Sequence, residues 1–216
     1  MCTVRILLAD DHDIVRRGLR ALIEEQPEWR IVAEASDGRD AVAKVVQLGP
    51  DVAILDISMP LLNGLDATKQ ITTLYPRTKV LIVTVHESNQ LIQGVLEAGA
   101  RGYILKADAG RDLISGIKAL LSNNTFFTQK VDEMVLGGYL GRGPRVNENG
   151  SLQLTWRERE IVQLVAEGKS SWEVAQLLCL SLHTVQTHRT KVMRKLNCHS
   201  VVELVRYAVR NYLVEP

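Results

Sequence analysis

The first half of the chain alternates short, unbroken apolar runs with stretches whose apolar residues recur every three or four positions. Val4-Arg5-Ile6-Leu7-Leu8-Ala9, Val52-Ala53-Ile54-Leu55, Val80-Leu81-Ile82-Val83 and Gly102-Tyr103-Ile104-Leu105 do not alternate apolar with polar, and Ile31-Val32-Ala33 is a shorter run of the same kind. Such runs are what strands covered on both faces require. Between them the spacing predicts helices over Ile14–Ile23, Ala41–Leu48, about Leu65–Leu74, about Ser88–Glu97 and about Gly110–Leu121. Gly49-Pro50, Pro76 and Gly99 supply stop signals. Repeated strand–helix alternation predicts an α/β fold: a doubly wound, five-stranded parallel sheet with helices on both faces.

After residue 122 this pattern dissolves. Gly137-Gly138-Tyr139-Leu140-Gly141-Arg142-Gly143-Pro144 is followed by Asn147, Asn149 and Gly150, and no Lys-Ser or Lys-Thr follows the glycines to make a phosphate loop. Residues 123–152 therefore read as a flexible linker, in which Lys130–Leu136 could form a short helix. Beyond it, helix signals crowd together. Thr155-Trp156-Arg157-Glu158 is a capping box ahead of Ile161, Val162, Leu164 and Val165, and Gly168 stops that helix. Ser170 or Ser171 caps a second helix bearing Val174, Ala175, Leu177 and Leu178. A short turn leads into a third helix, His183–Leu196, and a fourth runs from about Val201 to Tyr212. The expected organisation is an α/β domain over residues 1–122, a linker over 123–152, and an all-α domain of four helices over 153–216.

Charge separates the two domains. The net charge of +1 conceals 14 Lys/Arg against 16 Asp/Glu in residues 1–122, and 9 against 6 in residues 151–216. The C-terminal third is mildly basic, as a nucleic-acid surface would be. No apolar run approaches the roughly 18 residues of a membrane span, and Asp10, Asp11 and Asp13 interrupt any signal-peptide pattern. Cys2, Cys179 and Cys198 are too few and too scattered for a disulfide framework and read as reduced cytoplasmic thiols. Cys198-His199 lacks partners at zinc-site spacing.

The candidate chemistry lies just after the apolar runs. Asp10 and Asp11 close the first and Asp56 closes the third. Ligands of parallel sheets gather at the carboxyl ends of strands, so the three carboxylates would meet in one crevice and repel each other unless a cation neutralises them. A few oxygen ligands, with water and phosphate completing the shell, suit Mg²⁺. Thr84, a hydroxyl donor, and Lys106, a point charge suited to phosphate, end two further runs. A plain dinucleotide-binding sheet competes for this fold, but Asp-Asp-His stands where its Gly-x-Gly-x-x-Gly turn would be.

Asp10-Asp11, Asp56 within Asp56-Ile57-Ser58-Met59-Pro60, Asn63-Gly64, Thr84, Tyr103 and Lys106 resemble the receiver domain of two-component response regulators. The resemblance implies that a sensor histidine kinase donates a phosphoryl group to Asp56. It also implies that Asp11, Asp56 and the backbone carbonyl of Ser58 hold Mg²⁺, with Asp10 helping directly or through water. Lys106 would neutralise the acyl phosphate, Thr84 would swing to hydrogen-bond it, and Tyr103 would rotate inward.

A short turn before the third C-terminal helix is what a helix-turn-helix requires, making that helix the candidate reader of the major groove. Val185, His188, Val192 and Leu196 would face the core or its margin, which leaves Thr184, Gln186, Thr187, Arg189, Thr190, Lys191, Arg194 and Lys195 to meet double-stranded DNA. Leu154-Thr155-x-Arg157-Glu158-Arg159-Glu160, Ala166-Glu167-Gly168, Glu173-Val174-Ala175, Thr184-Val185-x-Thr187-His188 and Met193-x-Lys195-Leu196 are similar to the LuxR-type helix-turn-helix. Trp156 for Pro, and Trp172 and His183 for Lys, depart from the usual pattern and remove positive charge. A receiver joined to this module resembles the NarL/FixJ family, which implies a cytoplasmic, phosphorylation-controlled transcription factor rather than an enzyme. It would form a homodimer on activation, with RNA polymerase as a further partner. In the resembling family the last helix pairs between protomers, and burial within its own domain accounts for the apolar pattern of that helix almost as well. The competing reading is a phosphorylation-independent DNA-binding protein whose first domain is a dimerisation scaffold.

Overall fold

The computed structural model describes residues 3–127 and 154–215, which fall into two compact units. Lys130–Leu136 and the glycine-rich stretch lie outside the described residues. In the first unit, strands β1 (Val4–Ala9), β2 (Trp29–Ala35), β3 (Val52–Leu55), β4 (Lys79–Thr84) and β5 (Gly102–Leu105) alternate with helices α1 (Asp13–Glu24), α2 (Gly38–Leu48), α3 (Gly64–Leu74), α4 (Asn89–Glu97) and α5 (Ala109–Leu121). A single 3-10 turn, Lys106–Asp108, joins β5 to α5. A sixth strand, β6 (Phe126–Phe127), completes the order β2-β1-β3-β4-β5-β6, with every pair parallel.

The apolar runs form the centre of this sheet. Ile6, Leu8, Val52, Ile54, Leu81, Val83 and Ile104 are closed off by Leu19 and Ile23 of α1 and by Leu113, Ile117 and Leu120 of α5. At roughly 1.5–3 kcal/mol for each fully buried aliphatic side chain, this core is the main source of the unit's stability. The sequence order reverses between β1 and β3, so the two carboxylate-bearing strands flank the switch point of the sheet. The register pairs Ala9 with Leu55, which sets Asp10 and Asp56 side by side.

Two features depart from expectation. β2 is longer than Ile31–Ala33 because it is an edge strand whose polar Arg30 and Glu34 interrupt the apolar run without interrupting the ladder. β6 lies within the stretch expected as linker. Its two phenylalanines follow Ser122-Asn123-Asn124-Thr125, and two residues are too few to show a period.

The second unit consists of α6 (Trp156–Ala166), α7 (Ser171–Leu177), α8 (Leu182–Lys195) and α9 (Val201–Arg210). Thr155 and Ser170 each head a complete capping box, with Glu158 and Glu173 reaching back to the cap amides. Gly168 ends α6 at φ 83, a left-handed conformation that costs glycine little. Ile161, Val162, Leu164, Val174, Val185, Val192, Leu204 and Ala208 form the core. The α7–α8 turn passes through Cys179 at φ 51, where a non-glycine residue is uncommon.

Candidate functional site

Asp10, Asp56, Thr84 and Lys106 converge at the carboxyl end of the sheet because each follows or ends its own strand. Asp56 is 3% exposed. Its backbone N–H donates to the Ala9 carbonyl at 2.9 Å, and its Oδ1 accepts from the Ile57 amide at 2.7 Å. Burial pushes the Asp56 carboxyl above its ordinary value, with the Asp10 charge adding to that rise and Lys106 opposing it. Lys106 Nζ stands 2.8 Å from both Asp56 Oδ2 and Asp10 Oδ2. Burial works to lower the Lys106 ammonium, but the two carboxylates outweigh it and hold the group above its usual range. Lys106 thus bridges the two carboxylates, donating to Asp56 Oδ2 and ion-paired with Asp10 Oδ2.

Asp10, Asp11, His12 and Asp56 each offer a ligand atom within 4.8 Å of the others. His12 was not anticipated. Its Nδ1 lies 2.7 Å from Asp11 Oδ1, which raises the imidazole's proton affinity. Its position next to two acidic residues was the available signal. Ser58 is half-buried beside the acceptor, and its Oγ meets His86 Nε2 at 3.0 Å, bridging the loops after β3 and β4. Gly64 is required for the acceptor's placement, because a Cβ there would stand 1.8 Å from the Asp56 carbonyl oxygen. Asn63 caps α3 through the Asp66 amide.

Thr84 is fully buried, and its Oγ1 accepts from the His86 amide at 3.2 Å. A hydroxyl has one proton and two lone pairs, so this contact leaves the Thr84 proton available for a second partner. Tyr103 is also fully buried, with its hydroxyl donating to the His86 carbonyl. The inward position expected of Tyr103 after activation is the one it occupies here.

The helix predicted to read DNA presents one exposed stripe. His183, Gln186, Thr187, Thr190, Lys191 and Arg194 line a shallow surface groove at spacings of three and four residues. The other expected contacts turn away from it. Thr184 is half-buried against the Ser181 hydroxyl that caps α8. Arg189 Nη1 donates to Ser171 Oγ at 2.5 Å. Lys195 Nζ meets Glu158 Oε2 at 2.8 Å with its side chain 17% exposed. His183 also joins the stripe, because three and four residues ahead of Gln186 and Thr187 it shares their face, and the helix begins at Leu182. His188 and Val192 point inward as expected, and His188 Nδ1 is buried with no hydrogen-bond partner among the described residues.

Comparison with known proteins follows the same two-part division. Residues 6–118 match the response regulator receiver domain, and residues 152–208 match the bacterial regulatory proteins of the luxR family. The chain is 36% identical over 217 residues to the oxygen regulatory protein NreC of Staphylococcus epidermidis, covering 98% of this chain and 100% of that protein. It is 37% identical over 213 residues to the transcriptional regulatory protein LiaR of Bacillus subtilis, covering 98% and 99%. A solved complex of the two-component response regulator RcsB with DNA superposes with a TM-score of 0.60 at 25% identity, covering 97% of this chain and 98% of that one.

Proposed function

The chain belongs to the response regulators that join a receiver domain to a LuxR-family DNA-binding domain, and on that premise we propose that Asp56 is its phosphoacceptor and the α8 stripe its DNA-reading surface. The observation that carries the first assignment is Asp56 itself: a buried carboxylate beside a lysine ammonium at 2.8 Å, at the switch point of the sheet. A carboxylate oxygen of Asp56 attacks the phosphorus of a kinase phosphohistidine. The new O–P bond forms as the P–N bond breaks, and the imidazole leaves. Lys106 stabilises the added negative charge. The Thr84 hydroxyl donates to a phosphoryl oxygen while still accepting from the His86 amide. Tyr103 anchors the loop that carries His86.

The acidic pocket fits a hard divalent cation. Among its donors are the carboxylate oxygens of Asp10, Asp11 and Asp56, clustered within 4.8 Å of one another. Asp10, Asp11, Asp56 and the Ser58 carbonyl would hold Mg²⁺. Bound there, Mg²⁺ supplies positive charge to the transferring phosphoryl group.

In this reading residues 1–122, extended through β6, form the receiver, and residues 153–216 form the DNA-binding domain. A sensor histidine kinase is the phosphodonor, duplex DNA the ligand and a homodimer the active form, with RNA polymerase as the downstream partner. No helix among the described residues is long and apolar enough to cross a membrane. Incubation with a small phosphodonor, followed by intact mass, tests the acceptor. We expect one phosphate adduct that disappears in Asp56→Ala and on removal of Mg²⁺ by a chelator. An adduct that persists in Asp56→Ala would overturn the assignment.

A further inference from the structure

We infer that Arg16 is a positioning residue for the cation site: through the Asp10 carbonyl it sets where the Asp10 and Asp11 carboxylates stand. The inference rests on the Mg²⁺ reading above. Arg16 lies one turn into α1, and its guanidinium runs back to the end of β1. Nη1 donates to the Asp10 carbonyl oxygen at 2.8 Å, Nε donates to Glu34 Oε2 at 3.0 Å, and Nη2 pairs with Asp13. The Arg16 amide donates to the His12 carbonyl at 3.0 Å. One residue therefore ties together the whole turn from Asp10 to Asp13, with its side chain only 17% exposed.

The Asp10 carbonyl is a telling acceptor. It belongs to the peptide unit that joins the two carboxylate-bearing residues, so rotation of that unit would redirect Asp11 relative to Asp10. The rest of Asp10 is already fixed. Its amide donates to the Ala35 carbonyl at 3.2 Å, and its Oδ1 accepts from the His12 amide at 2.8 Å. Arg16 supplies the remaining restraint. The far end of the clamp is also held, because Glu34 forms a second ion pair with Arg20. A guanidinium presents donors on three nitrogens in a rigid fork and can span acceptors that stand apart, whereas the three donors of a lysine ammonium all radiate from one atom on a flexible stem. Groups that orient metal ligands from behind typically change metal affinity by roughly 10–100-fold when removed.

Electrostatics gives the opposite sign, which makes the inference testable. Arg16 is a cation near an acidic pocket, so if only its charge mattered, removing it would tighten Mg²⁺ binding. A positioning role loosens it. Mg²⁺ titration by calorimetry and thermal melting on the full chain would compare the unaltered protein with Arg16→Gln, Arg16→Lys and Glu34→Gln. We expect both Arg16 variants to bind Mg²⁺ roughly tenfold or more weakly. Arg16→Lys keeps the charge and should still fail. Glu34→Gln removes an ion pair of the clamp but spares the Asp10 bond, so it should lower the melting temperature while leaving Mg²⁺ affinity within about twofold. Arg16 variants that bind Mg²⁺ as tightly as, or more tightly than, the unaltered chain would overturn the inference. So would an affinity loss in Glu34→Gln that tracks its loss of stability as it does in Arg16→Gln. An unaltered chain that binds no Mg²⁺ would instead overturn the cation site itself, and this inference with it.

Discussion

Asp56 and Lys106 show how one pair of residues can be tuned by burial and charge together. Both groups are held above their ordinary pKa, Asp56 by desolvation and Lys106 by its two carboxylate partners. The raised carboxyl leaves more of Asp56 protonated, and a protonated acid is no nucleophile. Phosphorylation without saturating Mg²⁺ should therefore weaken at a higher pH than for an ordinary carboxylate, and added Mg²⁺ should move that acid limb downward; a pH–rate series at two Mg²⁺ concentrations reads this. Val85, which follows Thr84, is 63% exposed rather than packed against the next helix. Val85→Ala should change stability by less than about 0.5 kcal/mol. Any shortening of the acyl-phosphate lifetime in that variant then reports on water reaching the mouth of the site. In the second unit, burial works to raise the Glu158 carboxyl, and its bonds to Lys195 and Thr155 outweigh this and hold it below the ordinary 4.5. A depressed acid contributes stability above its unfolded value and loses it as pH falls through the folded one. Protection of the α6 amides, corrected for the intrinsic fall of exchange with pH, should thus begin to drop below about pH 4.5, and the drop should be smaller in Lys195→Met.

At the scale of elements, close approach decides the acceptor loop. Gly64→Ala would drive a methyl into the Asp56 carbonyl. The backbone must shift, at about 1–3 kcal/mol or more, and phosphorylation should fall with it; melting and intact mass on the same variant separate the two effects. Strand ends were legible in the sequence because continuous apolar runs of strand length, rich in Val and Ile and alternating with helical spacing, mark strands covered on both faces. Asp10, Asp11, Asp56, Thr84 and Lys106 could be placed from them. What was not legible depended on three-dimensional packing. β6 is too short for a pattern, and β2 carries the polar residues of an edge. On α8 the sequence offered eight polar residues, but only side-chain partners on α6 and α7 reveal that Lys195 and Arg189 are engaged within the domain. Lys191→Glu or Arg194→Glu should therefore weaken binding to every DNA sequence and lower the salt slope by roughly one per lost phosphate contact. Lys195→Met should cost stability instead. Gln186→Ala should relax sequence preference by about 1–3 kcal/mol at one base pair.

For the whole molecule, a single stripe on α8 covers few base pairs, so useful specificity calls for two copies on neighbouring half-sites. The last helix divides its apolar residues to suit this. Leu204 and Ala208 are buried within the domain, while Val201 and Val202 remain 44% and 62% exposed. In the proposed dimer those two valines would form the contact between protomers, and Val202→Glu should then disfavour the dimer while sparing the fold. The central claim is that the acyl phosphate on Asp56 controls dimeric DNA binding by α8. Its most direct test is sedimentation of the full chain with its selected DNA, in Mg²⁺, with and without a small phosphodonor, for the unaltered protein and Asp56→Ala. The account predicts that phosphorylation tightens DNA binding by roughly 5–150-fold, the usual range of such coupling, with two protomers bound, and that Asp56→Ala gains nothing. Equal gain in Asp56→Ala, or a phosphorylated chain that stays monomeric on that DNA, would contradict it.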